Sequence, residues 1–336
     1  MSADHRWMGA AIALGERSRG RTTPNPNVGC VIVRDGRVVG RGWTQPGGRP
    51  HAEAMALAQA GEAARGATVY TTLEPCAHLS PRGPACANLL VAAGVGRVVV
   101  ALGDPDPRTD RIGMARLRDA GIAVTQDVRA AEAARSMAGF LTRPRLGRPL
   151  VTLKLATSLD GCIALADGTS RWITGAEARA HAHLERGRHE AILVGRGTWD
   201  VDAPKLDVRL AGLEARSPIR VVLSAHPHPS DGAGTADPVW ITAPGQIAAL
   251  PADHVLIEGG AATAAAFLRA DLVDRLLLYR APILIGGGRP ALGDIGLADL
   301  GTAHGRWRLH DARPLGTDRV EVYERADSRG RSCSPA

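Results

Sequence analysis

The sequence has almost no lysine, few aromatic residues, few cysteines and no long apolar run. A membrane helix needs roughly 20 consecutive apolar residues. No such stretch is present, and no membrane partner is expected. The opening residues, MSADHRWMGA, show no basic-then-apolar leader pattern, so a cytoplasmic location is expected. Five cysteines (Cys30, Cys76, Cys86, Cys162 and Cys333) are too sparse, and odd in number, for a disulfide framework in 336 residues. Of 41 basic residues only Lys154 and Lys205 are lysine; the rest are arginine. The formal charge is +7, but the arginines form no stripe and the aromatic residues do not interleave with them. That distribution favours a small phosphorylated molecule over nucleic acid as partner.

What is present is an ordinary globular composition, 45% hydrophobic and 22% charged. At roughly 150 residues per domain the length suggests two domains. Asp4 is expected to cap a helix running to about Arg19. Residues 28–43 read as two strands joined at Asp35-Gly36, a strong hairpin signal. A helix over 51–60, a strand over 67–73, a helix over 86–93 and a strand over 96–102 follow. A helix near 113–120 and a strand near 122–128 complete a layered α/β pattern. The segment LTRPRLGRP (141–149) reads as a linker, giving domains 1–145 and 146–326 and a disordered tail, 327–336. In the second domain strands are expected at 151–157, 190–195, 219–224, 254–259 and 274–286, with helices near 176–187 and 261–270.

One constellation carries chemistry. His51-Ala52-Glu53 opens a helix, Pro75-Cys76 follows a strand, and Cys86 opens the next helix. One imidazole and two thiolates supply three ligands to zinc and leave its fourth position to water. Glu53, two residues from His51, sits beside the metal and shuttles a proton. H-x-E with a later P-C is the signature of zinc deaminases. Cys30 lies in an apolar strand and reads as core. His78 is near enough to Cys76 to be a rival fourth ligand.

The surroundings of these residues sharpen the reading. PNPNVGCVIV, TLEPCAH and the nine residues between Cys76 and Cys86 resemble the bifunctional deaminase/reductases of riboflavin biosynthesis. DPDP (104–107), LKLATSLDG (153–161), SRWIT (170–174), AILVGRGT (191–198), IEGG (257–260) and LVDRLLLYRAPILIGG (272–287) continue the resemblance in the family's order. It implies an N-terminal cytidine-deaminase-like three-layer domain followed by a dihydrofolate-reductase-like α/β domain. The implied activities are zinc-dependent deamination of a phosphoribosylamino-diaminopyrimidinone and NADPH-dependent reduction of its ribosyl group to ribityl. It places Zn2+ on His51, Cys76 and Cys86, and the proton shuttle on Glu53. Asn25 and His78 fall on substrate-contacting positions. Arg82, in a loop one residue longer than the family's, becomes the candidate for the substrate phosphate.

In the second half, Ala156, Trp172, Thr198, Gly259 and Gly260 fall on cofactor positions. Ser170, Arg186, Asp202, Leu206, Arg209 and Glu258 fall on substrate positions. Bare glycine amides at a helix start suit a pyrophosphate, and two arginines with a serine suit a phosphate dianion. Lys154 stands inside the apolar strand VTLKLAT and needs a partner; Glu258 and Asp202 are the expected ones, making all three candidate catalytic residues. Three departures from the family pattern stand out: Ala203 for a second acid, Ser224-Ala225 for Asp-Ser, and Arg111 for a glycine. A homo-oligomer is expected. The rival readings are a nucleic-acid base deaminase with an accessory domain and a non-catalytic zinc-stabilised module. The scattered charge argues against the first, and Glu53 without a fourth ligand against the second.

Overall fold

A computed structural model describes residues 2–78, 82–226 and 238–326. The expected disordered tail and Cys333 lie outside the described residues. The chain divides into two compact units, Met1–Gly147 and Arg148–Ala336.

In the first unit the order is α1 (Ala3–Gly15), β1 (Gly29–Arg34), β2 (Arg37–Trp43), α2 (Ala52–Ala60), β3 (Thr68–Thr71), α3 (Cys86–Ala92), β4 (Arg97–Val100), α4 (Ile112–Asp119), β5 (Ala123–Thr125), α5 (Ala130–Ser136) and α6 (Ala138–Leu146). The sheet runs β2-β1-β3-β4-β5, with β1 antiparallel to both neighbours and the other pairs parallel. Close approach of backbone decides the layers. A Cβ at Gly42 would lie 2.1 Å from Ala52 O of α2, and one at Gly29 would lie 1.8 Å from Ala11 O of α1. Gly42 pairs with Cys30, and Gly29 precedes Cys30 on the strand, so the two glycines face opposite sides. Helices therefore cover both faces, and every residue of β1 before Arg34 is buried. That is the three-layer arrangement.

Three local expectations change. The N-cap of α1 is Ser2, whose side chain accepts from His5 N; the helix ends at Gly15, well short of Arg19. Asp4 turns inward instead and takes both Arg97 Nη1 and Nη2 (2.9 and 2.8 Å) and Tyr70 Oη (2.9 Å). The expected linker at 141–149 is largely helical, because α6 continues through Pro144 to Leu146 and closes on Gly147 in the left-handed conformation. A proline in the last turn removes only one helical hydrogen bond.

The second unit contains β6 (Leu150–Thr157), β7 (Cys162–Ala164), α7 (Ala176–Arg186), β8 (Ala191–Gly195), α8 (Arg196–Asp202), β9 (Ile219–Leu223), β10 (Val239–Ile241), β11 (His254–Ile257), α9 (Ala261–Arg269), β12 (Arg275–Arg280), β13 (Arg289–Pro290), β14 (Trp307–Leu315) and β15 (Asp318–Arg325). Its main sheet runs β10-β9-β8-β11-β6-β12-β15-β14. The first six strands are mutually parallel, and β15 and β14 add an antiparallel edge. All of β8 and β11 is buried, as expected for parallel strands covered on both faces. The strand expected over 274–286 stops at Arg280. The β14–β15 hairpin was not anticipated: WRLHDARPL is mostly exposed and shows no apolar alternation.

Candidate active sites

His51 is the N-cap of α2, which puts Glu53 in the first buried turn. Cys76 follows β3, and Cys86 opens α3. The fold brings His51 Nδ1 to 3.5 Å from Cys76 Sγ and 3.4 Å from Cys86 Sγ. The backbone N–H of Cys86 donates to Cys76 Sγ at 3.3 Å. All three ligand atoms lie within 4.8 Å of one another. Among the described residues no further His, Cys, Asp or Glu joins them; His78 turns away to Thr109 Oγ1 at 3.3 Å. A soft donor triangle with one side open fits a catalytic zinc. The Cys86 thiol and His51 pull Cys76 down to about 4, whereas the Cys76 sulfur and burial push Cys86 up. Burial drives Glu53 up to about 7. In the metal-free site burial therefore favours the protonated carboxyl.

A cleft of about 310 Å³ opens over this triangle and is lined by Asn25, His51, Glu53, Cys76, His78 and Arg82, among others. Asn25 Nδ2 donates to Gly48 O at 2.7 Å, and Arg82 Nη2 donates to Gly47 O at 2.7 Å. Several lining residues were not singled out from sequence, Arg49, Asp104 and Phe140 among them. The signals were available, since Arg49 precedes Pro50-His51, Asp104 opens DPDP and Phe140 is one of only two phenylalanines. Burial pushes Asp104 up to about 6, while Arg108 holds the neighbouring Asp106 down. Buried Glu74, of the TLEP motif, anchors the loop by accepting from the N–H groups of Asp104, Arg111 and Met114. Arg111 takes φ 60 there, the left-handed region that explains the glycine expected at this position.

In the second unit Glu258, just past β11, stands between two cations. Lys154 Nζ lies 3.6 Å from its Oε2. Arg186, the last residue of α7, places Nε 2.8 Å from Oε1 and Nη2 3.0 Å from Oε2. Burial raises the Glu258 carboxyl, but Lys154 and Arg186 together outweigh it and hold the group at about 2. Lys154 also lies 5.8 Å over the Tyr279 ring, a neighbour not foreseen.

The expected pairing of Lys154 with Glu258 is present; that with Asp202 is not. Asp202 ends α8, is 44% exposed on its side chain and faces Arg171 Nη2 at 3.4 Å. Arg186 is committed to Glu258 and to Asp207 O (2.9 Å), which leaves it poorly placed to bind phosphate. Arg209 and Ser170 are exposed. The Leu206 side chain is buried against Ile192 and Val194, so any ligand contact would use its backbone.

Ala156 lies on β6 opposite Tyr279. Trp172 is not core but 65% exposed, with the Arg179 guanidinium 4.7 Å over its ring. Gly195 and Gly260 are the N-caps of α8 and α9, at the carboxyl ends of neighbouring strands β8 and β11. Thr198 Oγ1 lies 4.0 Å from where a Gly260 side chain would begin, so the two helix starts adjoin. Bare amides converging at the edge of a parallel sheet fit the phosphates of a nicotinamide dinucleotide. Gly259 serves packing as well, because a Cβ there would lie 2.6 Å from Thr263 Cβ. The Ser224 hydroxyl closes onto His226 O at 2.8 Å. Ala203, where an acid was expected, takes the left-handed conformation that Asp tolerates better.

Comparison with known proteins covers both halves. Residues 1–102 match the cytidine and deoxycytidylate deaminase zinc-binding region, and residues 149–320 match the RibD C-terminal domain. The riboflavin biosynthesis protein RibD of Mycobacterium tuberculosis is 41% identical, covering 93% of this chain and 94% of its own. That of Escherichia coli is 37% identical, covering 94% and 97%. Among solved structures, RibD of Acinetobacter baumannii superposes with a TM-score of 0.83 at 36% identity, covering 96% and 98%. A diaminohydroxyphosphoribosylaminopyrimidine deaminase/5-amino-6-(5-phosphoribosylamino)uracil reductase of Thermotoga maritima gives 0.84 at 30%, with the same coverage.

Proposed function

The chain belongs to the RibD family of bifunctional riboflavin-biosynthesis deaminase/reductases, and we propose that its two sites act in turn on one phosphorylated pyrimidine. The substrate of the first site is 2,5-diamino-6-(5-phosphoribosylamino)pyrimidin-4(3H)-one, and the product of the second is 5-amino-6-(5-phosphoribitylamino)uracil. The observation that carries the reading is the open triangle of His51, Cys76 and Cys86 with a buried acid, Glu53, two residues from His51.

In the deaminase, His51, Cys76 and Cys86 would hold zinc, which would supply Lewis acidity and lower the pKa of water. Glu53 accepts a proton from the attacking water and delivers it to the departing amine, which leaves as ammonia. Asn25 and His78 orient the pyrimidine, and Arg82 faces the phosphate. In the reductase the reductant would be NADPH, a hydride donor, with C1 of the sugar as the acceptor. Gly259, Gly260 and Thr198 bind its phosphates, with Ala156 and Trp172 along its length. Lys154 polarises the sugar oxygen and delivers a proton to it as the ring opens. Glu258 holds Lys154, and Arg186 holds Glu258. Asp202, Ser170, Arg209 and the backbone of Leu206 line the substrate side.

The four described cysteines are buried thiols, which suits a reducing, cytoplasmic setting. Exposed Leu159 and Ile283, tied together by a 2.8 Å backbone bond, lie beside exposed Leu284. This apolar patch suits a homo-oligomer. The deciding experiment incubates the purified protein with the diaminopyrimidinone phosphate, alone or with NADPH or NADH, and identifies products by mass. The expected result is deamination alone without cofactor, and deamination plus reduction with NADPH. No mass change under any condition would overturn the reading.

A further inference from the structure

Two arginines meet at one rim of the deaminase cleft, and only one of them was expected there. Arg82 reaches from the cysteine loop to Gly47 O at 2.7 Å. Arg49 reaches the other way, so that its Nη1 lies 3.1 Å from the position of a Cβ on Gly83. Each guanidinium thus lies against the other's loop, and both line the same cleft. Arg49 is half-buried and has no hydrogen bond or ion pair among the described residues. The acids nearby are engaged elsewhere. Asp106 holds Arg108 at 2.5 Å, Glu74 accepts three backbone N–H groups, and Asp104 accepts the N–H of Asp106. Two like charges in one narrow seam repel unless an anion joins them. Gly83 makes the arrangement possible: at φ 139 it adopts backbone that L side chains rarely take, and its missing side chain leaves room for the Arg49 guanidinium.

Resting on the deaminase reading above, we propose that Arg49 is a phosphate-specificity residue. With Arg82 it clamps the substrate's 5′-phosphate at the rim while the pyrimidine enters the cleft towards Glu53. A planar guanidinium offers phosphate two parallel donors, so Arg49 supplies the geometry that Arg82, partly spent on Gly47 O, lacks.

The test compares kcat/KM for the phosphorylated diaminopyrimidinone and its dephosphorylated riboside, with zinc content measured on each protein. Arg49→Gln should lower the preference for the phosphorylated form by roughly ten- to a hundredfold, the range for one hydrogen-bonded charge. Competitive inhibition by inorganic phosphate should weaken in parallel, and Arg49→Lys should restore part of both. Gly83→Ala, which presses on the guanidinium without altering residues next to His51, should reproduce the loss. A preference within twofold of wild type in both Arg49→Gln and Gly83→Ala would overturn the proposal. So would a wild-type protein that deaminates both forms equally. A zinc-loaded wild type that deaminates neither would instead overturn the deaminase reading on which the clamp rests.

Discussion

Replacing Lys154 by arginine keeps a positive charge beside Glu258 but changes its shape, and the structure separates the two effects. Lys154 is 19% and Glu258 8% exposed on their side chains, with 3.6 Å between Nζ and Oε2. At an effective dielectric of about 20 that separation corresponds to a gross attraction of about 5 kcal/mol. Lys154→Met leaves Glu258 paired with Arg186 alone, so it is expected to destabilise the second unit by less than the roughly 3 kcal/mol that breaking a buried pair outright costs. Lys154→Arg retains the attraction and should change stability by less than about 1 kcal/mol. The guanidinium, however, finds both Glu258 oxygens already taken by Arg186. It is also larger, planar and unable to release a proton in the working range. Reduction should therefore fall at least roughly tenfold, the low end for losing one transition-state contact. The assays are steady-state NADPH oxidation with the deaminated substrate, cofactor affinity by fluorescence, and urea unfolding. Deaminase turnover serves as the internal control and should stay unchanged. Reduction by Lys154→Arg within twofold of wild type, at unchanged cofactor affinity, would refute the reasoning and leave Lys154 a bystander.

Glu53→Gln should abolish deamination and keep the zinc, since Glu53 is not among the ligand atoms; zinc content and turnover measured together check it. In metal-stripped protein the Glu53 carboxyl is raised from 4.5 to about 7, so its contribution is full below 4.5 and lost as pH rises through 7. Near pH 8 metal-stripped Glu53→Gln should then be more stable than metal-stripped wild type by up to about 3 kcal/mol, read by thermal melting. Glu258 behaves oppositely, lowered from 4.5 to about 2. Its stabilisation is present above 4.5 and lost as pH falls through 2. Glu258→Gln should cost about 3 kcal/mol at neutral pH and nearly nothing near pH 2, by urea unfolding across pH. Arg111→Gly should be neutral or stabilising by up to about 1 kcal/mol, because relief of left-handed strain offsets the added chain entropy. A clear fall in melting temperature would show that the exposed guanidinium does more than the backbone explains. A fragment from Arg148 onward, once shown to fold, should reduce the deaminated substrate without the first unit; a folded, cofactor-binding but inactive fragment would contradict this.

The sequence alone determined the elements whose pattern is local. The hairpin at Asp35-Gly36 was legible because a tight turn flanked by apolar runs leaves few alternatives, and Asp35 does take positive φ. The buried strands β8 and β11 were legible as short apolar runs. The candidate metal triangle was legible because His51, Cys76 and Cys86 are residue types with few other reasons to recur at strand–helix junctions, and the fold brings them together. What depended on contacts distant in sequence was not. Asp4 has the composition of a helix cap, yet Arg97, 93 residues away, recruits its carboxylate, and Ser2 caps instead. Arg186 and Asp202, charges of opposite sign, were both read from the sequence as substrate contacts. The tertiary structure gave one both oxygens of Glu258 and left the other near the surface with Arg171. Arg49 is marked in sequence only by its nearness to His51, and the crossing of two loops gives it a place. Periodicity records which face of an element is buried. It does not record which charge a folded chain brings to a particular carboxylate, because that is settled by distances the linear order does not contain.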